Sequence, residues 1–537
     1  MAIKRKPSGT STTPSASTAE PPQSSQRWVI SHLISHYDED DQRSEARNAF
    51  SEKFDRHLEA HLDVVSDNKA DESSLRRVIV CEGDAEEMMA KARELSADTI
   101  IEPELSRTIP HFRLNQISEQ QAEQLAAPEN AGGPGSGTTL TLKLQGADGS
   151  PAVGATVTMT LTPAAQGQTA SNSVGGRSND DGSVTLSYDP SQWVPGITAI
   201  EPAGRYWSWV LDHPQDGQVV ELPSLPESGP LGWWHLLSGT VAGPDLGAGI
   251  KVGVVDTGMG PHPYLSHATA VGAFLNGQFL QGAQAGEDCE SHGTHVSGII
   301  AARPAADSKA FAGIAPAAEL FMARVFSADG GGNQGDIARA IDYLSFTSKA
   351  DLINLSLVGA ASAIEHDAIL AALKNGSLCI AAAGNQGTPI SGYPAGYPEV
   401  AAVSAIGLPG AYPAGAMASY NLPNQPDRFG YGGCFLAAFS NYGPAVSCTA
   451  GGNGIISTVP ERYGLTAPYA DMSGTSLSSP VAVGALAALL SRDAAYKALP
   501  AGISRAYYAR TRLSQSCVSL RLNPLYQGAG LARDIVS

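Results

Sequence analysis

The run Ile250-Lys-Val-Gly-Val-Val-Asp-Thr-Gly258 is almost wholly apolar until it stops at an acid and a glycine. A strand covered on one face alternates apolar and polar residues. A strand covered on both faces does not, so this one reads as the interior of a parallel sheet. Asp256 ends it, and open α/β sheets gather their site residues at the carboxyl ends of such strands. By itself an acid in that place reads equally well as a turn former or a helix cap.

Outward from this strand the texture repeats. Residues 353–357 (INLSL) and 379–383 (CIAAA) are further buried strands, and the second ends in Gly384-Asn385-Gln386-Gly387. Small-residue helical stretches, 299–302 and 481–490, lie between and beyond them. Strands alternating with helices predict a mainly parallel α/β sheet with helices on both faces over residues 240–537. Two polar motifs open the helices. Ser291-His292-Gly293-Thr294-His295 precedes the first, and Gly474-Thr475-Ser476 precedes the second. Ser476 thus falls near a helix N-terminus, where backbone N–H groups favour developing negative charge; a plain N-cap is the alternative. The His-x-x-His pair lacks the spacing and the glutamate of a zinc-protease helix, so His295 reads as a structural histidine and no metal or cofactor is expected.

Together these elements resemble the subtilisin-like serine peptidases, the subtilase family. Asp-Thr-Gly, His-Gly-Thr-His, Ala-Ala-Gly-Asn and Gly-Thr-Ser occur in the family's order over residues 240–537. The resemblance implies a subtilisin-like fold and a triad of Asp256, His292 and Ser476, with Asn385 and the Ser476 N–H forming the oxyanion hole. It also implies that an extended substrate adds as a strand between Gly330, Gly331 and Gly332 on one side and Ser356, Leu357, Val358 and Gly359 on the other. Residues 384–394, matching the primary pocket, contain no acid, and Gln386 and Gly392 are neutral. That predicts a neutral, apolar preference before the scissile bond. Tyr264 stands where the family places a calcium-ligating Asp, so calcium of the usual kind is not expected. The insertion at 411–437 is read as shaping substrate access. Cys379 reads as a core residue, Cys289 as a free, mercurial-sensitive thiol beside the site, and Cys434 and Cys448 as a possible pair.

Upstream, residues 1–26 lack aromatic residues and read as a flexible tail. Residues 27–112 read as a small α+β domain with a helix over 40–62, a strand at 77–81, a helix at 85–95 and a strand at 99–102. The segment 99–107 (TIIEPELSR) and what precedes it resemble the end of a subtilase pro-region, which implies an intramolecular inhibitor. Cleavage is then expected near 111–114, at 128–138 or near 226–232. A Gly/Pro-rich linker ends at 138, and strands at 140–144, 155–161, 183–188, 206–211 and 219–222 build a β-sandwich over 139–225. This sandwich resembles carboxypeptidase regulatory-like modules. Residues 226–239 are a connector.

The 537 residues carry 34 Lys and Arg against 52 Asp and Glu, a net charge of −18 that disfavours nucleic acid and anionic membranes as partners. Only a Ser/Thr/Pro tract follows Lys4-Arg5-Lys6, where a leader would place an apolar segment, and no 20-residue apolar span occurs; a cytoplasmic location is the expectation. Three functions fit: an endopeptidase acting on protein or peptide substrates, a dedicated protease trimming one precursor, or a catalytically silent binding protein.

Overall fold

The computed structural model describes residues 26–109, 137–165, 172–241 and 243–535, apart from 58–61, 70, 72–73, 86–87, 89 and 92–97. The cleavage segments expected at 111–114 and over most of 128–138 lie outside these residues.

The central sheet has nine strands. Thr269–Leu275, Glu319–Arg324, Lys251–Asp256, Leu352–Leu355, Leu378–Ala382, Ala401–Gly407 and Val446–Gly451 run parallel in that order, and short antiparallel pieces, Gln278–Gln281 and Phe435–Leu436, pair with the first and the sixth of them. Successive side chains separate the two faces. Val252, Val254, Leu352, Leu378, Ile380 and Val403 join the core beneath helices His292–Ala301, Thr475–Leu490 and Ile503–Ser516. Val255, Ile353, Leu355, Cys379 and Ala381 join the opposite core beneath Gln334–Asp342 and Ala363–Asn375. Each fully buried aliphatic side chain contributes about 1.5–3 kcal/mol. The α/β layering expected from the sequence is therefore present.

The N-terminal domain is a four-stranded antiparallel sheet in the order Asp63–Asp67, Ile79–Gly83, Gln26–His32, Thr99–Pro103. Its first strand begins within the expected tail, and the strand Asp63–Asp67 went unread. The helix Asp40–His57 ends before Leu62, and Ala85, Met88, Ala90 and Lys91 are helical within the expected second helix. Trp28, Ile30, Phe50, Phe54, Ile79, Cys81 and Met88 form the domain's own core. The other face of the same strands, Val29, Val80 and Ile100, packs into the core above the helices Gln334–Asp342 and Ala363–Asn375. Arg76 is buried at this junction, with Nε 2.8 Å from Asp342 and Nη2 2.8 Å from Asp367. The Glu102 carboxylate accepts from Ser362 Oγ at 2.6 Å and the Ala363 N–H at 2.7 Å, so the N-terminal domain stabilises the start of a helix it does not own.

The sandwich has seven strands in two sheets, ordered Trp209–Leu211, Trp193–Glu201, Thr156–Pro163, Asn172–Arg177 and Gln218–Leu222, Thr138–Gly146, Ser183–Tyr188. Of the expected strand at 206–211 only Trp209–Leu211 forms a strand, while Tyr206 makes an isolated bridge to Ser224, and two strands went unread. The insertion at 411–437 is the sandwich's seat. Val210 N donates to Gly415 O at 3.2 Å and Met417 N to Ser208 O at 2.8 Å. Cys434 and Cys448 are both free thiols, which corrects the expected pairing. Cys434 packs with Ile406, Leu520 and Leu522, and Cys448 lies in the main core.

At the seat the Ser208 N–H donates to the buried Asp471 Oδ1 at 2.7 Å. Burial pushes the Asp471 carboxyl from its ordinary 3.8 up to about 7, the Ser208 N–H opposes that rise, and Glu201 adds to it. The folded protein therefore holds a proton between pH 3.8 and about 7 that the unfolded chain has released. Stability falls as pH rises through that window, and the penalty, roughly 4 kcal/mol, is complete above it. Asp471→Asn keeps the acceptor and removes the titration. Thermal unfolding at pH 4, 6 and 8 is expected to show little difference from wild type at pH 4 and a stabilised variant at pH 8; a pH-independent difference would mean an ordinary carboxyl.

Candidate functional site

Asp256, His292 and Ser476 come together from three elements. Asp256 ends the strand Lys251–Asp256, His292 opens the helix His292–Ala301, and Ser476 lies in the first turn of Thr475–Leu490. His292 Nδ1 is 2.7 Å from Asp256 Oδ1, and His292 Nε2 is 3.0 Å from Ser476 Oγ. All three side chains are buried. Such an arrangement can pass a proton from hydroxyl to imidazole, with a carboxylate to fix the ring's tautomer.

Close packing sets these distances. A Cβ on Gly293 would lie 2.1 Å from Gly258 O, so the helix can approach the end of the strand only with glycine there. Ser291, just before the histidine, adopts φ 96°, a left-handed conformation that costs energy in a residue with a Cβ. Asp288 helps hold it: Oδ1 accepts from Ser291 N at 2.9 Å and Thr257 Oγ1 at 2.8 Å, and Oδ2 accepts from Thr294 N at 2.8 Å. Thr257 in turn accepts from Gly293 N at 2.8 Å, and its own N–H donates to Asp256 Oδ1 at 2.8 Å. The residue types of Thr257 and Asp288 gave no sign of this bracing.

Ser476 is tied to the sheet by a missing donor. Pro480 lies inside the helix and has no N–H for the carbonyl four residues earlier, which is that of Ser476. Ser356 Oγ donates to that carbonyl instead, at 2.7 Å, and Asn354 Nδ2 donates to Ser356 Oγ at 2.9 Å. Asn385 Oδ1 accepts from Thr475 N and Oγ1, both at 2.9 Å, so the donor end of its amide is Nδ2. The Ser476 N–H is among the first of its helix, which have no acceptor within it.

The expected cleft edges face one another across a strand. Ser106–Thr108 pairs antiparallel with Gly332–Asn333 on one side and Val358–Gly359 on the other, with Arg107 opposite both Gly332 and Gly359. Of the three glycines only Gly332 pairs, alongside Asn333, which the sequence reading omitted; Gly330 and Gly331 lie in the preceding turn. Leu357 is buried in the core. Gln386 Oε1 accepts from Asn441 Nδ2 at 2.8 Å, and Gly392 N donates to Ala383 O at 2.9 Å.

His295 is buried, with Nε2 3.1 Å from the carbonyls of Ile455 and Ala470, and burial lowers its pKa to about 3. A neutral histidine held by two carbonyls is a structural one, as read from sequence. Cys289 donates weakly to Thr257 O at 3.4 Å, and burial beside Asp288 pushes its thiol up to about 12. So little thiolate remains at neutral pH that the expected mercurial sensitivity is not supported.

A family model described as the Subtilase family matches residues 247–513. Subtilisin BL of Lederbergia lenta is 32% identical over 286 residues, covering 53% of this chain and 89% of that protein. Minor extracellular protease Epr of Bacillus subtilis is 34% identical over 252 residues, 46% of this chain and 33% of that protein. Thermophilic serine proteinase of Bacillus sp. (strain AK1) is 36% identical over 246 residues, 45% and 52% respectively. The chain thus spans nearly all of one relative and between a third and about half of the other two.

The Ser356 bond generates a test. Ser356→Ala leaves a buried carbonyl unpaired and is expected to cost about 1–3 kcal/mol in denaturant unfolding. In a Pro480→Ala background, where residue 480 regains an N–H, the same change is expected to cost measurably less. Equal costs in the two backgrounds would show that the hydroxyl does not compensate for the proline.

Proposed function

Because the chain belongs to the subtilase family, we propose that it is a serine endopeptidase that cuts peptide bonds through Asp256, His292 and Ser476, and that its N-terminal domain is its own inhibitor. Ser476 Oγ attacks the peptide carbonyl while His292 Nε2 takes its proton and then gives it to the departing amine. Water, activated by the same imidazole, releases the acyl group and restores the hydroxyl. Asn385 Nδ2 and the Ser476 N–H receive the oxyanion.

The observation that carries the inhibitory part is the strand Ser106–Thr108 lying between Gly332–Asn333 and Val358–Gly359. A substrate needs that lane for its own main-chain pairing. The absence of acids from residues 384–394 supports a neutral, apolar residue before the scissile bond. Among the described residues, no helix is long and apolar enough to cross a membrane.

Intact mass and N-terminal sequencing of wild type and Ser476→Ala, expressed side by side, test the reading. A shortened wild type beside a full-length variant is expected. If both stay full length and a fluorophosphonate fails to label Ser476, the reading is overturned. Asn385→Ala is expected to lower kcat by about 10²–10³ with little change in KM, measured on a fluorogenic peptide with processed enzyme.

A further inference from the structure

One ion pair crosses the cleft. Arg107, in the strand between the two cleft edges, is 1% exposed and Glu365 is fully buried. Arg107 Nε lies 2.9 Å from Glu365 Oε2, and Nη2 donates to the same oxygen. The arginine belongs to the N-terminal domain and the glutamate to the helix Ala363–Asn375 of the opposite domain.

From sequence, Ser362-x-x-Glu365 is a capping box, in which the glutamate would reach back to the Ser362 N–H. The structure fills that place differently: the Ser362 N–H donates to the Tyr397 hydroxyl at 2.7 Å. Glu365 points into the cleft instead, and its Oε1 has no hydrogen-bond partner among the described residues. Burial raises its pKa while Arg107 opposes the rise, so a cation in the cleft favours the charged form of the carboxylate. Gly359 completes the lane. A Cβ there would come within 2.6 Å of Arg107 Nη1 and 2.7 Å of its Cδ, so the arginine passes only because residue 359 has no side chain.

The register places this pocket relative to the chemistry. Thr108 is opposite Val358 and Arg107 opposite Gly359. A substrate residue opposite Ser356, whose hydroxyl touches the nucleophile's own carbonyl, therefore follows the one in Arg107's place by three positions. We propose that Glu365 and Gly359 form an arginine-selecting subsite, so that the enzyme favours peptides with Arg three residues before the residue acylated by Ser476. The selectivity rests on the peptidase reading above; the pairing of the pocket with arginine does not.

Fluorogenic peptides identical except for Arg, Leu or Glu at that position would be compared using wild type and Glu365→Leu, each expressed as the full chain. Wild type is expected to favour Arg over Leu by about 30-fold or more in kcat/KM, with Glu poorest, and Glu365→Leu to abolish or reverse that order. Equal kcat/KM for the Arg and Leu peptides in wild type would overturn the proposal and leave the peptidase intact. A second readout needs no turnover: amide exchange at Ser106–Thr108 in the full-length Ser476→Ala chain. Arg107→Leu is expected to lose protection there, and Arg107→Leu with Glu365→Leu to regain it. If no peptide is cleaved but protection follows the pair, the arginine pocket stands and the peptidase reading fails. Protection unaffected by Arg107→Leu overturns the pocket.

Discussion

The helix Thr475–Leu490 has no polar face, and every one of its residues is buried. A helix apolar all round has to be enclosed by the rest of the protein, so it sits in the core beneath Val252, Val254, Ile380 and Val403. That enclosure fixes where its first turn emerges, and Ser476 is in the first turn. Pro480 then leaves one carbonyl of that turn without its internal partner, and the carbonyl is satisfied from the neighbouring sheet by Ser356. Ser476 and the segment Ser356–Gly359 are thereby registered to each other by a buried hydrogen bond.

A second constraint follows from how the N-terminal sheet divides its side chains. Its strands supply one row to a private core and the other to the surface formed by two helices of the catalytic domain. Arg76 between Asp342 and Asp367 adds orientation more than net stability, since the desolvation of three buried charges offsets most of their attraction. The sheet's position determines where Ser106–Thr108 runs, because Thr99–Pro103 leads directly into it.

Much of this was legible in the sequence. Asp256, His292, Asn385 and Ser476 each stand where an apolar run meets a glycine-containing motif, and family resemblance supplied roles that spacing alone could not. The illegible parts have physical reasons. The strand Trp193–Glu201 contains Pro195-Gly196, which reads as a break; the structure accommodates it with a register shift between Pro195 and Thr198. Asn172–Arg177 was obscured by two glycines in the same way. Thr257 braces the histidine through contacts to Asp288 and Gly293, more than 30 residues away, and Glu365 carries a local signature for a cap it does not make. The insertion at 411–437 was visible as an insertion, but that it seats the sandwich depends on a partner some 200 residues earlier in the chain.

The strand in the cleft and the sandwich are consecutive along the chain, and the sandwich is fixed to the catalytic domain at Asp471, Gly415 and Met417. While the peptide chain between residues 109 and 137 is whole, the strand is therefore tethered at both ends: by its own domain on one side and by a docked module on the other. Tethering of this kind is equivalent to millimolar local concentration over short spans. On the proposal that the N-terminal domain is the inhibitor, one cut in that stretch would convert an intramolecular ligand into a separate molecule whose occupancy depends on dilution, while the sandwich would stay covalently attached to the catalytic domain. On that proposal, the order of the three domains along the chain makes a single hydrolysed bond enough to turn a permanent occupant into a competitor.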